Sequence, residues 1–126
     1  MLLKTNSSWE WSFYWNKSIT FETKKMDLTQ EEWSSKLASD NKAYLLDVRT
    51  PEEFKEGHVP NATMLDIRQP ESFMEGVQSM DSSKHYYIYC RSGARSAQAC
   101  QVMNQMGIEN TYNLLGGFME WEGDTA

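Results

Sequence analysis

The residues best suited to chemistry in this 126-residue chain are a cysteine and the short polar segment that follows it. Cys90 comes directly after the apolar run 86–89 and before Arg91, Ser92, Gly93, Ala94, Arg95 and Ser96. A cysteine between a strand and a helix N-terminus lies where open α/β sheets bind ligands. Successive backbone N–H groups of such a loop can point inward as an anion-binding nest, and Gly93 permits the tight turn. The segment predicts an anion site around the Cys90 sulfur.

The surroundings of Cys90 favour the thiolate over the thiol. Arg91 and Arg95 bring two positive charges into a chain whose formal net charge is −6, and the helix N-terminus adds a partial positive charge. Such surroundings lower the pKa of a cysteine from about 8.5 to roughly 3.5–7.5. We predict that Cys90 is largely thiolate at neutral pH and acts as a nucleophile. The alternative is an inert cysteine buried at a strand end.

Loop length bears on which anion the site holds. Four residues separate Cys90 from Arg95, one fewer than in the phosphate-binding cysteine loop of tyrosine phosphatases. The shorter loop forms a smaller pocket, which suits one additional sulfur atom better than a whole phosphoryl group. A cysteine phosphatase or an arsenate reductase on a related fold is the less favoured alternative.

The elements that must position this loop are those of an α/β domain. Near-continuous apolar runs predict buried strands at 44–48, 86–89 and 111–115, with a shorter one at 64–65. Helices are predicted over 30–39, 51–56, 70–80 and 95–106, with a last short helix through 118–121. Because strands alternate with helices, we predict a mainly parallel central sheet flanked by helices.

Local signals fix several helix ends. Thr29 and Glu32 are spaced as a capping box, and Thr50 with Pro51 is typical of a second helix start. Gly107 is expected to stop the helix that follows the cysteine loop. In the helix over 70–80, Phe73, Met74 and Val77 are expected to face inward. His85 is expected to be exposed.

Length and composition exclude several classes of protein. A chain of 126 residues with 40% hydrophobic residues supports one packed domain and not two. Its acidic balance argues against binding to nucleic acid or to a membrane surface. Two cysteines form neither a disulfide scaffold nor a zinc site, so we expect a reducing, cytoplasmic location.

The first 25 residues are predicted to be an N-terminal extension to a domain that spans 26–126. Aromatic residues alternate with polar ones over 9–21, which is typical of an extra strand or a hairpin. A segment that is not part of the native start is the other interpretation, because Met26 could be the initiator.

Several motifs in the same order resemble the single-domain rhodanese (thiosulfate sulfurtransferase) family. They are the cysteine loop 90–96, Leu46-Asp47-Val48-Arg49, Glu52-Glu53-Phe54, Gly57-His58-Val59-Pro60-Asn61-Ala62 and Leu115-Gly116-Gly117-Phe118 through Trp121. Asn61 departs from the glycine usual in the family, but Asn tolerates a left-handed backbone, so the turn is expected to survive. The resemblance covers about residues 26–122 and implies the family's three-layer fold.

The resemblance implies a two-step transfer of a sulfane sulfur. Cys90 would take sulfur from a small anionic donor such as thiosulfate, and the resulting persulfide would pass it to a thiol, cyanide or protein acceptor. The loop from Arg91 to Ser96 would bind the substrate, and no metal or organic cofactor is required. A non-catalytic regulatory or binding module is the alternative, since rhodanese-like domains also serve in that way.

Other polar residues are interpreted as framework. Asp47 and Arg49 are expected to form a structural ion pair, and His58 to be a turn histidine. Cys100 is expected in the core, although it could resolve the persulfide. Three glutamates are read as a solvated helix face: Glu52, Glu53 and Glu56. The sulfurtransferase hypothesis requires inward-facing loop amides and a Cys90 side chain that solvent can reach.

Overall fold

The computed structural model of the chain describes residues 26–126. Within that range the strands are β1 (Asp27–Leu28), β2 (Ala43–Asp47), β3 (Thr63–Met64), β4 (His85–Tyr89) and β5 (Thr111–Leu114). The helices are α1 (Gln30–Ser39), α2 (Pro51–Glu56), α3 (Pro70–Gln78) and α4 (Ala94–Gln105), followed by a 3-10 helix (Phe118–Glu120). The strand or hairpin predicted within 1–25 lies outside the described residues.

The strands of the described range form one parallel sheet in the order β1-β5-β4-β2-β3. The predicted α/β class is therefore confirmed. Strands β2 and β4 are neighbours in register, with Asp47 opposite Tyr89. Because both strands end at the same edge of the sheet, Arg49 and Cys90 follow them into the same region.

Helices cover both faces of the sheet and give three layers. On one face, β2 and β4 side chains such as Leu46 and Ile88 pack with Phe73 of α3 and Met103 of α4. On the other face, Leu45, Tyr87 and Tyr89 pack against Trp33 of α1. The alternation of faces along β4 follows the pleat of the strand. Cys90 continues the alternation onto the α3 and α4 side.

Helices α1 and α2 begin at the predicted caps. The Thr29 and Thr50 side chains accept from the backbone N–H of Glu32 and Glu53, and each glutamate carboxylate accepts from the backbone N–H of its cap residue. Asn61 takes a left-handed backbone with φ 73°, as expected at that turn.

One expectation about a side chain on α3 and one about a side chain on β4 are wrong. Met74 is 39% exposed, because only Phe73 and Val77 of α3 reach the core. His85 is only partly exposed, since its Nδ1 lies 2.7 Å from an Asp40 carboxylate oxygen. Among the described residues, no helix is both long and apolar enough to cross a membrane.

Candidate active site

The cysteine loop is held in place from its outer side by the turn that follows β5. The backbone N–H groups of Phe118 and Met119 donate to the carbonyls of Cys90 and Arg91, at 2.8 and 3.0 Å. Gly117 makes this approach possible, because a Cβ on it would collide with both carbonyl groups. With these carbonyls engaged on the outside, the amides that follow them in the loop can turn toward the sulfur.

Three donors lie within hydrogen-bond distance of the Cys90 sulfur. The backbone N–H groups of Gly93 and Ser96 are 3.1 and 3.4 Å from Sγ, and the Ser96 hydroxyl is 3.4 Å away. Gly93 adopts a left-handed backbone with φ 106°, which a side chain would strain. The loop thus has the inward-facing amides that the sequence predicts.

These hydrogen bonds favour ionisation of the thiol. Burial opposes the thiolate, but the hydrogen bonds, those from Ser96 and Gly93 foremost, outweigh burial and place the pKa of Cys90 below its ordinary value. The direction agrees with the thiolate predicted from the sequence.

The sulfur is not exposed, contrary to the requirement stated from the sequence. Cys90 is 0% exposed, because the loop closes around it. A cavity of about 420 Å³ opens over the same end of the sheet. Its lining does not include Cys90 and consists of Arg49, Glu53, Glu56, Gly57, Arg91, Phe118 and Met119. A ligand in this cavity reaches the sulfur only after neighbouring groups move.

The two arginines of the loop occupy different environments. Arg91 is exposed and lines the cavity. Arg95 donates from its two terminal nitrogens to the Glu53 carboxylate, at 2.9 and 3.0 Å. Glu53 is therefore not part of a solvated face, as the sequence suggested, but a partner of the loop. Its carboxylate offsets part of the Arg95 charge near the sulfur.

Asp47 and Arg49 form the predicted ion pair, and Arg49 also lines the cavity. Arg49 donates from Nε and Nη2 to the Asp47 carboxylate, with Nη2 at 2.7 Å, and it also bonds the Gly57 carbonyl. The guanidinium lies 4.5 Å from the centre of the Phe118 ring. The sequence places this pair in the framework but does not reveal that Arg49 brings a cation to the cavity.

The remaining residues singled out from the sequence lie in the loop, in the core and at the turn after α2. Ser92 and Ala94 are exposed, with Ala94 starting α4. Cys100 is fully buried in the core cluster, and His58 stacks on Phe54 with its Nδ1 2.9 Å from the Phe54 carbonyl. In the part of the chain that the structure describes, no group of three or more His, Cys, Asp or Glu side chains is arranged to hold a metal ion.

Comparison with known proteins finds a matching family and similar proteins for this chain. The family model described as Rhodanese-like domain matches residues 29–124. YtwF of Bacillus subtilis, named provisionally as a sulfurtransferase, is 40% identical over 90 residues, which are 71% of this chain and 84% of YtwF. A sulfurtransferase of Allochromatium vinosum is 36% identical over 95 residues, covering 75% of this chain and 86% of that protein.

Solved structures share the fold. A rhodanese-like domain protein from Staphylococcus aureus superimposes with a TM-score of 0.67 at 30% identity, over 78% of this chain and 92% of that one. The human single-domain sulfurtransferase TSTD1 gives a TM-score of 0.62 at 25% identity, over 76% of this chain and 94% of that one.

Proposed function

The chain belongs to the rhodanese-like family, with sulfurtransferases among its relatives, and we propose that it transfers a sulfane sulfur through a persulfide on Cys90. The donor is a small anion of the thiosulfate type, and the acceptor is a thiol, cyanide or a protein. The observation that carries the proposal is the set of three donors on the Cys90 sulfur, from Gly93 N, Ser96 N and Ser96 Oγ.

In the first step, the Cys90 thiolate attacks the outer sulfur of thiosulfate. A bond forms between the two sulfurs, the S–S bond of the donor breaks, and its electron pair leaves with sulfite. The terminal sulfur of the new persulfide carries the negative charge. Preorganised N–H donors of the loop stabilise this anion without reorganisation during the reaction.

In the second step, a nucleophile attacks the terminal sulfur of the persulfide. With cyanide, a carbon–sulfur bond forms, the S–S bond on Cys90 breaks, and its electron pair restores the thiolate while thiocyanate leaves. Since the enzyme alternates between a loaded and an unloaded form, ping-pong kinetics are expected.

The roles of the arginines follow from their positions. Arg91 and Arg49 bring positive charge to the cavity and attract an anionic donor. Arg95 lies where the loop enters α4 and is oriented by Glu53. Its remaining charge favours the thiolate, because opposite charges close together favour the ionised form.

Because Cys90 is buried, the proposed reaction requires that substrate gain access to its sulfur. Access to the sulfur requires local opening of the groups that enclose it, since Cys90 is 0% exposed. A non-catalytic binding module does not need a sulfur that solvent can reach. The burial of Cys90 is therefore compatible with that function as well, and it is the second candidate. The donors aimed at the sulfur favour the sulfurtransferase, since a purely packed cysteine needs none of them.

Steady-state kinetics test the proposal. Initial rates of thiocyanate formation, measured while thiosulfate and cyanide are varied together, should give the parallel double-reciprocal lines of a ping-pong reaction. Cys90→Ser should abolish the rate, while Cys100→Ser should retain it as the matched cysteine control. A folded protein with no activity toward any thiosulfate–acceptor pair would favour the binding module, and hydrolysis of an aryl phosphate would favour a phosphatase.

A further inference from the structure

A buried polar side chain on β5 lies behind the cysteine loop. Asn113 is 1% exposed, and its Oδ1 accepts a hydrogen bond from the Ser96 hydroxyl. Its Nδ2 donates to an Asp27 carboxylate oxygen at 2.9 Å and to the Gly93 carbonyl at 3.2 Å. A chain of polar contacts therefore runs from the Cys90 sulfur through Ser96 and Asn113 to the edge strand β1.

The orientation of the Asn113 amide is fixed by these partners. Asp27 and the Gly93 carbonyl are acceptors only, so the NH2 group must face them and Oδ1 must face Ser96. The Ser96 hydroxyl has a single proton. Both the Asn113 oxygen and the Cys90 sulfur are within reach of that proton, and only one of them can receive it at a time.

We propose that Asn113 is a positioning residue of the site, which holds the Ser96 proton while the Cys90 sulfur is uncharged and yields it when that sulfur becomes an anion. With a neutral sulfur, Asn113 is the stronger acceptor and Ser96 donates to it. With the thiolate, the charge makes the sulfur the stronger acceptor. Transfer of the hydrogen bond then leaves the buried Asn113 oxygen without that donor, which opposes the thiolate.

The position of the Ser96 proton also affects sulfur transfer, a step that rests on the proposed function. In the persulfide the charge is on the terminal sulfur, and Cys90 Sγ is neutral again. The Ser96 proton can then return to Asn113. Asn113 therefore favours the loaded form of the protein over the thiolate.

The first test is the pH dependence of Cys90 alkylation in a Cys100→Ser background, measured without any sulfur donor. Asn113→Ala removes the competing acceptor, so the pKa of Cys90 should fall by about half a unit to one unit. Ser96→Ala should raise it. In the double variant, Asn113→Ala should have no further effect, because the proton it acts through is gone.

The charged groups around the site stay the same in these variants. They are Arg91 on the loop, Glu53 on α2, Arg95 on α4, Asp27 on β1 and Arg49 in the segment after β2. Thr111→Ala is the matched control, since Thr111 is equally buried on the same face of β5 and its hydroxyl contacts Asn104 rather than the loop. It should leave the pKa of Cys90 unchanged.

A second pair of variants keeps the inference testable if Asn113→Ala does not fold. Asp27 is exposed at the sheet edge. Asp27→Ala leaves the Gly93 carbonyl as the remaining acceptor of the Asn113 amide, which weakens the hold of Oδ1 on the Ser96 hydroxyl and should lower the pKa of Cys90. Asp27→Asn removes the same charge but keeps an oxygen acceptor, so its effect should be smaller.

The outcomes separate this inference from the proposed function. A rise in the pKa of Cys90 in Asn113→Ala, or an equal shift with and without Ser96, would overturn the positioning role, whether or not a persulfide forms. If the role holds, the ratio of persulfide to thiolate at a fixed sulfite-to-thiosulfate ratio should fall about three- to tenfold in Asn113→Ala. An unchanged ratio would overturn only the consequence for the loaded form.

Discussion

The Arg95 guanidinium is joined to the Glu53 carboxylate by two hydrogen bonds of 2.9 and 3.0 Å. Glu53 also accepts from the backbone N–H of Thr50 at 3.0 Å, so one carboxylate caps α2 and holds the Arg95 side chain of the cysteine loop. The two elements are thereby coupled at the carboxyl edge of the sheet.

The Arg95–Glu53 pair makes stability depend on pH in a defined direction. The hydrogen bond from Arg95 is the main cause that lowers the pKa of Glu53 from 4.5 to about 2. A lowered pKa stabilises the folded state fully above the unfolded value, and this contribution is lost as the pH falls from about 4.5 to about 2. Wild type should therefore exceed Glu53→Gln in melting temperature at neutral pH, and the gap should close over that acid range.

Thermal unfolding followed by circular dichroism between pH 2 and 7 measures this gap. Glu52→Gln removes a charge from an exposed position of the same helix and controls for net charge. A gap between wild type and Glu53→Gln that stayed constant through the acid range would show that the pair contributes no pH-dependent stability.

Asp47→Asn should be among the most destabilising changes in the domain. Asp47 and Arg49 are 0% and 4% exposed, and removal of one charge leaves the other buried without its counterion. The loss expected for such a pair is about 3–5 kcal/mol of unfolding free energy. Urea unfolding measures it, and a loss below about 1 kcal/mol would mean that water solvates Arg49 in the variant.

Gly117→Ala should perturb the site as well as the fold. Gly117 has φ 60° and Gly107 has φ 97°, so alanine at either position costs about 1–2 kcal/mol in backbone strain. Only at Gly117 would the added Cβ meet the loop, at 2.7 Å from the Cys90 carbonyl and also against that of Arg91. At Gly107 no atom lies within 4 Å.

We expect both glycine variants to lose stability and only Gly117→Ala to shift the pH profile of Cys90 alkylation. If the two variants gave the same profile as wild type, the turn after β5 would not be what sets the loop amides on the sulfur.

The burial of Cys90 predicts a strong dependence of its reactivity on reagent size. A small alkylating agent such as iodoacetamide should react with Cys90 in the folded protein far faster than a bulky aromatic disulfide does. Each rate is normalised to the same reagent on the urea-unfolded protein, in a Cys100→Ser background. Equal normalised rates would mean that the loop is open in solution.

Local signals in the sequence predicted most elements, whereas contacts between distant residues were not predictable. Both capping boxes join residues three positions apart, which makes them visible as a spacing. The bond from Arg95 to Glu53 spans 42 positions, and that from Asn113 to Asp27 spans 86. Such pairs depend on strand order, which a hydrophobic pattern does not specify.

The cysteine loop was predictable because its residues are contiguous. Gly93 and Ser96 lie within six positions of Cys90, and the turn they form follows from local backbone chemistry. The position of the loop was less predictable, because it also depends on contacts of its Cys90 and Arg91 carbonyls with the Gly116–Gly117 turn, which follows β5.

The most direct test of the account is the mass of the intact protein after brief treatment with thiosulfate and removal of excess reagent. Wild type and Cys100→Ser should each gain one sulfur, about 32 Da, which dithiothreitol or cyanide removes, whereas Cys90→Ser should gain nothing. No gain in the folded wild type, or an equal gain in Cys90→Ser, would contradict a persulfide carried by Cys90.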